Sequence, residues 1–486
     1  MKKHYKKFCR LLFISALSTP CITEAQITFQ KIYPTANIVN QIGNDVIQTA
    51  DGGYLIASST EKSPTNNDLD IMIVKTTSMG DTVWTKRYGT SRPDVPNGLL
   101  QIGNGEFFVI GYTTSAGGDT DNYLLKLNRN GDTLFTKSYG GFGNEDGKEI
   151  VATADGKYVF TGGSNSVNFS DNNMELVKID SSGSVLWTQY YGGPNYESAR
   201  SVKLCADGGF IVAGTTAPST TSPTASVFLV RTDLSGNSTW TKTIGGTNPS
   251  YQGKSVVANS DGTYTLCVDD SSATRDSDVR IMNISASGST INWNKSYGGI
   301  DKDICKMIQP TSDGGYIVAS ISRSFGWVNP DMWILKLTSI GDTSWTRHFG
   351  GSLHEHCLAA RQTSDGGFIV VGQSRSYSSN MRIFLVKTAP DGTAGTLGVG
   401  ELASNNIILN IYPNPTNGVV HFDLSDNVYS GSTFRISNSL GQIIFSEIID
   451  QSTGTKEIDL EDKKPGIYFV SIESKDGIAT KKLVLQ

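Results

Sequence analysis

The chain has 486 residues, of which 52 are glycine and 18% are charged, a profile of turn-rich β structure rather than of coiled coil or acidic disorder. Its formal charge of −5 hides a split: residues 1–25 carry Lys2, Lys3, Lys6, Lys7 and Arg10 against Glu24 alone, and the remainder holds 36 cations and 45 anions. So acidic a body excludes phosphate-backbone binding as the main role, and no nucleic-acid partner is expected.

The first 25 residues read as an export signal, with a cationic stretch, a short apolar run from Leu11 to Leu17, and small residues before a cut between Ala25 and Gln26. That run is too short to span a bilayer, and no later run reaches ~18 apolar residues, so no transmembrane segment is expected. The product is then secreted or attached to the outer cell surface. Beyond the signal four cysteines remain, Cys205, Cys267, Cys305 and Cys357, too few for a disulfide framework. Cys305 and Cys357 stand at equivalent places in neighbouring repeats, which suits either a bridge between them or two buried thiols.

Residues 27–392 repeat with a spacing of 51 to 55. An Asp-Gly or Asn-Gly pair has its glycine at 52, 105, 156, 208, 262, 314 and 366, and an aromatic follows two residues later. A second glycine falls at 80, 131, 183, 236, 288, 341 and 392. A further aromatic stands at Phe29, Trp84, Phe135, Trp187, Trp240, Trp293 and Trp345. Each repeat predicts four short strands. The first ends at the Asp-Gly hairpin and the second opens with the aromatic. The third, as in DIMIVK or DMWILK, is apolar on both faces, and the fourth, as in VWTKRYG, alternates. The recurring tryptophans are expected in the core.

One four-stranded sheet of this size buries too little to stand alone, and radial stacking into a ring protects its edges. The last repeat has three strands (354–388), and residues 27–33 supply a fourth. The expected fold is therefore an all-β, seven-bladed β-propeller over 26–392, closed by an N-terminal strand and followed by a small C-terminal β-sandwich. Through the elements DGGYLIAS, DIMIVK and GDTVWTKRYG, the repeats resemble the WD-like and delta-60-type propeller repeats of secreted bacterial proteins. Asn104, Asn283 and Ile244 depart from the pattern at a turn Asp, a third-strand cation and a fourth-strand Tyr. Such a resemblance implies a fold and no particular chemistry.

Residues 393–406 form a small-residue linker, and 407–486 hold about seven short alternating segments. The order YPNPTNG, SLGQ, PGIYFV and KKLVLQ resembles the type A C-terminal sorting domain of type IX secretion cargo. The resemblance implies export through the type IX machinery, removal of the domain by a sortase-like peptidase within 393–406, and attachment to surface lipopolysaccharide. By match to its motifs, the signal-bearing positions are Tyr412, Pro413, Asn414, Pro415, Gly418, Gly441, Gly466, Tyr468 and Lys482.

An acidic residue stands ten places before the turn Asp or Asn in five repeats: Asp94, Glu145, Glu197, Asp303 and Glu355. Two readings apply, a carboxylate ring that binds a cation or one carboxylate per blade accepting backbone N–H bonds. The latter fits recurrence better. His354, Glu355, His356 and Cys357 include metal-ligand types, yet too few other histidines exist to complete a site. The loops SPTNNDLD and SAGGDTDN match no known calcium spacing, so no cofactor is expected and calcium is the one ion these loops suggest. Arg323, Phe325 and Trp327 in the sixth repeat, with Arg375 and Tyr377 in the seventh, make a candidate ligand face of aromatics and guanidinium groups.

No nucleophile elbow, zinc-protease helix or phosphate loop is present in the sequence. The function that follows is a non-catalytic surface scaffold for a glycan or protein ligand. The alternative is a secreted polysaccharide-degrading hydrolase or lyase that uses carboxylates on the loop face.

Overall fold

Alternating strands and hairpin glycines leave little room for helix, and among its described residues the computed structural model has strands and a single short 3-10 turn, Gly103–Gly105. It describes residues 26–33, 39–63, 66–167, 172–222, 224–245, 250–271, 277–325, 329–395, 409–424, 432–438, 443–449, 454–474 and 477–486. Ala25, Trp327 and Gly441 lie outside these residues. Among the described residues no helix is long and apolar enough to cross a membrane.

Four successive strands pair antiparallel in each of six sheets, spanning 41–88 (sheet 1), 94–139 (sheet 2), 149–191 (sheet 3), 196–244 (sheet 4), 250–297 (sheet 5) and 303–349 (sheet 6). Sheet 7 takes three strands from 355–388, and its fourth is Phe29–Tyr33, which pairs with Arg382–Thr388 so that Phe29 faces Lys387 and Tyr33 faces Ile383. Sheet 1 in turn meets sheet 7 from the other side. Gln41 N–H donates to the Met381 carbonyl at 2.9 Å, and Arg361 donates to both oxygens of Asp45 at 2.8 and 2.9 Å.

Two of the recurring sequence features turn out to be halves of one contact. The fourth-strand aromatic of each sheet lies on the second recurring glycine of the next: Trp84 on Gly131, Phe135 on Gly183, Trp187 on Gly236, Trp240 on Gly288, Trp293 on Gly341 and Trp345 on Gly392. Phe29, from the strand added to sheet 7, lies on Gly80 of sheet 1. At Gly341 a Cβ would stand 2.7 Å from the Trp293 ring, and the backbone φ of +81° disfavours any other residue. A fourth-strand tyrosine reinforces the junction by donating its hydroxyl to the same glycine's carbonyl, as Tyr33 does to Gly80 and Tyr139 to Gly183, both at 2.7 Å. Sheet 4 carries Ile244 in that position and has no such bond there.

These tryptophans are half-buried rather than core, because the fourth strand is each sheet's outer edge and presents one face to solvent. The core is made by the second and third strands. Asp331–Leu337 and Arg382–Thr388 are buried at every position, and the side chain of Trp333 is 2% exposed. Buried cations on the third strands close on the hairpin carboxylates, with Lys75 on Asp51 at 2.9 Å, Lys336 on Asp313 at 2.8 Å and Lys387 on Asp365 at 2.9 Å. Where the hairpin has Asn104, Lys126 pairs with Glu106 instead at 2.9 Å. Where the third strand has Asn283, its amide donates to Thr263 and Thr265. These two departures from the repeat are locally compensated.

Cys305 bonds to Cys267, not to Cys357, while Cys205 and Cys357 are free and buried. Cys305 lies on the first strand of sheet 6 and Cys357 on the first strand of sheet 7, whereas Cys267 lies on the second strand of sheet 5. The second strand of sheet 5 lies directly against the first strand of sheet 6, and it brings the two Cα atoms to 6.4 Å.

The C-terminal residues form a three-stranded sheet (Leu409–Tyr412, Val419–Leu424, Gly454–Asp459) and a four-stranded one (Ser432–Asn438, Ile443–Ile449, Gly466–Ser474, Gly477–Leu485). Alternate residues of both sheets, including Val420, Phe422, Phe434, Ile436, Val470 and Leu483, share one buried cluster.

Candidate functional sites

The five recurring acidic residues are buried, between 0 and 3% exposed. Each closes the loop that precedes it by accepting the N–H four residues upstream: Thr90 to Asp94 (2.5 Å), Gly141 to Glu145 (3.2 Å), Gly193 to Glu197 (3.1 Å), Gly299 to Asp303 (3.0 Å) and Gly351 to Glu355 (2.9 Å). Hydroxyls add to this, with Ser164 and Ser166 donating to Glu145 and Ser374 donating to Glu355. A second carboxylate from the preceding sheet flanks four of them, across the glycine between: Asp70 beside Asp94, Asp121 beside Glu145, Asp278 beside Asp303 and Asp331 beside Glu355. The glycine backbone fills the space between the two acids. Burial, followed by the charge of Glu355, pushes the Asp331 carboxyl up to about 7, and burial with Glu145 raises Asp121 in the same way.

The candidate ligand face divides. Arg323 and Arg375 are exposed, and Phe325 is 45% exposed with its ring against Trp333 (5.2 Å) and His348 (5.0 Å). Tyr377 turns inward, packing on Phe384 and donating its hydroxyl to the Gly350 carbonyl at 2.8 Å. His354 is exposed, whereas His356 is half-buried with Nδ1 3.1 Å from Gln373. Burial, then the cations Lys306, His354 and Arg323, lower the His356 pKa. Among the described residues no three metal-ligating side chains converge.

Between the end of sheet 3 and the outer strands of sheet 4 lies a cleft of about 730 Å³, walled by Tyr190, Asn195, Thr216, Phe228 and Thr243. Tyr190 is 40% exposed. The one carboxylate in the wall is Glu197, already bonded to the Gly193 N–H and the Thr216 hydroxyl.

A second cavity, of about 220 Å³, is lined by the first strands of all seven sheets. In six of them a β-bulge interrupts the ladder at one residue, and that residue faces the cavity: Asn44, Asn97, Arg200, Lys254, Lys306 and Leu358. Lys148 takes the equivalent place in sheet 3. Four consecutive sheets thus present a cation. Sequence reasoning missed this set, although it stands seven residues before the turn Asp or Asn in every repeat.

In the C-terminal module the sorting motifs, up to 70 residues apart, meet. Asn414 donates to the Lys482 carbonyl (2.7 Å) and accepts from Val484 N–H (2.9 Å), while Thr416 N–H donates to the Val484 carbonyl (2.9 Å). Tyr412, Pro413, Asn414, Pro415, Gly466 and Lys482 are exposed, and Tyr412 stacks on His421 at 5.5 Å. Gly418 and Tyr468 are buried beneath them, the Tyr468 hydroxyl donating to the Lys464 carbonyl at 2.7 Å.

Residues 410–486 match the family of secretion system C-terminal sorting domains. Among curated proteins no relative matches the chain. Similar solved structures include PorZ, a bacterial surface component of the type-IX secretion system of Porphyromonas gingivalis, at 12% identity and TM-score 0.45, over 93% of this chain and 61% of PorZ. The chain therefore spans about three fifths of PorZ's length. A polysaccharide lyase of family 25 that acts on ulvan matches at 9% identity and TM-score 0.49, over 73% of this chain and 95% of the lyase. A protein of unknown function from Dyadobacter fermentans matches at 12% identity and TM-score 0.44, over 74% and 98% respectively. The sorting tail makes this a protein secreted or attached to the cell surface, and its handling partner is the type IX secretion machinery.

Proposed function

We propose that residues 26–392 are a closed seven-bladed β-propeller of WD-like and delta-60-type repeats, entering the export path after cleavage at Ala25–Gln26. In this reading residues 393–406 are the linker at which a sortase-like peptidase acts, and 407–486 are the detachable signal. The seven aromatic-on-glycine junctions, with Phe29 on Gly80 among them, support the closure. Asn414 and Thr416 tie the YPNP turn to the last strand, which brings the exposed sorting positions of the two together, and Gly441 belongs to the signal by its motif.

On the loop face, the function we propose is non-catalytic binding of a glycan or glycosylated protein. The observation that carries it is the cleft at Tyr190 and Phe228, whose size suits a few sugar rings and whose walls combine aromatic faces with hydroxyl groups. Its carboxylate is committed to backbone and hydroxyl donors, which leaves no free acid and base pair of the kind glycoside cleavage uses. Arg323, Phe325 and Arg375, exposed on their loops, belong to the same proposal, as does Trp327 by its place in the sequence. Calcium at the acidic positions would have to displace the N–H donors that already hold them. A screen of neutral and acidic oligosaccharides against the exported chain tests the proposal, with capture expected and reduced at least tenfold by Tyr190→Ala with Phe228→Ala. Turnover of a polysaccharide, lost on Glu145→Gln, Glu197→Gln or Glu355→Gln, would replace binding by hydrolase or lyase chemistry.

A further inference from the structure

The cavity at the centre of the seven first strands has an electrostatic character opposite to that of the whole chain. Its walls carry five cations, Lys148, Arg200, Lys254, Lys306 and Arg361, and two anions, Asp45 and Glu149. Both anions are already neutralised, Asp45 by Arg361 in a two-oxygen contact and Glu149 by Lys203. Two of the cations are neutralised as well, Lys148 by Asp146 at 2.8 Å and Lys254 by Asp269 at 3.0 Å. Asp269 is itself fixed, since its other oxygen accepts the Cys305 N–H at 2.6 Å. Lys306 and Arg200 remain without a carboxylate partner among the described residues. Lys306 is half-buried and Arg200 exposed; burial, then the charge of Lys254, lowers the Lys306 pKa, and the nearby Asp269 offsets part of that. A cation held in such a place is destabilising by itself and is relieved by an anion.

The backbone arranges this deliberately in geometric terms. A regular strand would alternate these side chains between its two faces, and the bulge instead turns one residue per sheet toward the axis. Ser201 and Ser255 line the cavity beside the cations, with their hydroxyls donated to Glu149 at 2.8 Å and to the Ile308 carbonyl at 3.3 Å. Walls of one sign around a narrow space concentrate the field there even in a chain with an excess of anions.

We propose that this central cavity is a binding site for one oxyanion, a phosphate, sulfate or carboxylate group borne by a small molecule or by the end of a chain. Lys306 and Arg200 supply the charge and the N–H donors, and Lys254 and Lys148 flank them. The volume admits a single such group and excludes a folded polyanion. The site is separate from the loop-face cleft and stands whether or not that cleft binds sugar.

The experiment is calorimetric titration of the exported chain at low ionic strength with three probes, inorganic phosphate, sulfate and trigalacturonate, and with neutral maltotriose as control. At least one anionic probe should saturate at one per chain and weaken as salt is added, and the order of the three identifies the source of the group. Lys306→Gln with Arg200→Gln should weaken that probe at least tenfold, whereas Lys137→Gln, which removes a cation from an outer strand, should leave it within twofold. Thermal melts of the variants confirm that each is folded. Absence of saturable binding by all three probes, or a loss of less than tenfold in the double variant, overturns the proposal.

Discussion

The rim and the centre of the repeat region are built from the same seven units, yet they treat repetition in opposite ways. At the rim the same two residue types, an aromatic and a glycine, meet at every junction. At the centre the bulge position recurs in the backbone while its side chain runs Asn, Asn, Lys, Arg, Lys, Lys, Leu. Positions that join one sheet to the next are bound by a single geometry and so repeat. Positions that face the central cavity are free of that constraint and vary from sheet to sheet.

That contrast breaks most visibly at the rim. Gly341→Val puts a branched Cβ against Trp293 at a φ of +81° and should destabilise the chain by about 4 kcal/mol through strain and overpacking. Trp293→Ala should cost about 2–4 kcal/mol, somewhat under a fully buried ring. Chemical denaturation read by fluorescence measures both, and a rim substitution costing under 0.5 kcal/mol would contradict the junction's role. Between rim and centre lies the Cys267–Cys305 bond, which joins sheets 5 and 6 next to Lys306. With the two cysteines 38 positions apart in sequence, reduction should lower stability by about 3 kcal/mol, seen as a shift of the denaturation midpoint with dithiothreitol.

A third test uses protons. Asp331 has a carboxyl raised to about 7 by burial and Glu355, while in the unfolded chain it titrates near its ordinary 3.8. Between those values the folded state holds a proton that the unfolded state has lost, so this group's contribution falls as pH rises from about 4 to 7 and stays low above. Asp331→Asn should therefore flatten the stability profile and gain about 2 kcal/mol over the parent at pH 8. An unchanged slope would show the pair to be ionised and tolerated. The smallest effect is expected at the centre: Lys306→Gln should change stability by less than about 0.5 kcal/mol or raise it slightly. The same change should still weaken oxyanion binding, which separates function from scaffold.

How much of this the sequence discloses follows the same division. Hairpin glycines, the strand order and the missing fourth strand of the last repeat are local and periodic, and each is legible in the spacing of 51 to 55. The meeting of Trp293 with Gly341 was not, because the two are 48 residues apart and belong to different sheets. The pairing of Cys305 misled for a related reason, since comparing equivalent positions points to Cys357 while the chain places Cys267 nearest. The cations at the centre escaped because a bulge shifts the alternation by one residue, and a reading by period two assigns Lys306 to the wrong face. Of the candidate ligand residues, Arg323, Phe325 and Arg375 are exposed and Tyr377 is turned inward by its bond to Gly350. Nothing in the composition of that loop distinguishes the two outcomes.

Both halves of the comparison rest on the proposed closure by Phe29–Tyr33, the strand paired with Arg382–Thr388. Removing residues 26–33 takes away the strand paired with Arg382–Thr388 and the ring that covers Gly80. Equilibrium denaturation of that deletion, beside the parent, should show a midpoint far lower and a broader transition, with the loss restored by adding the eight residues in trans as a peptide. A deletion that unfolds at the parent's midpoint with the parent's cooperativity would mean that the sheets stack without closing.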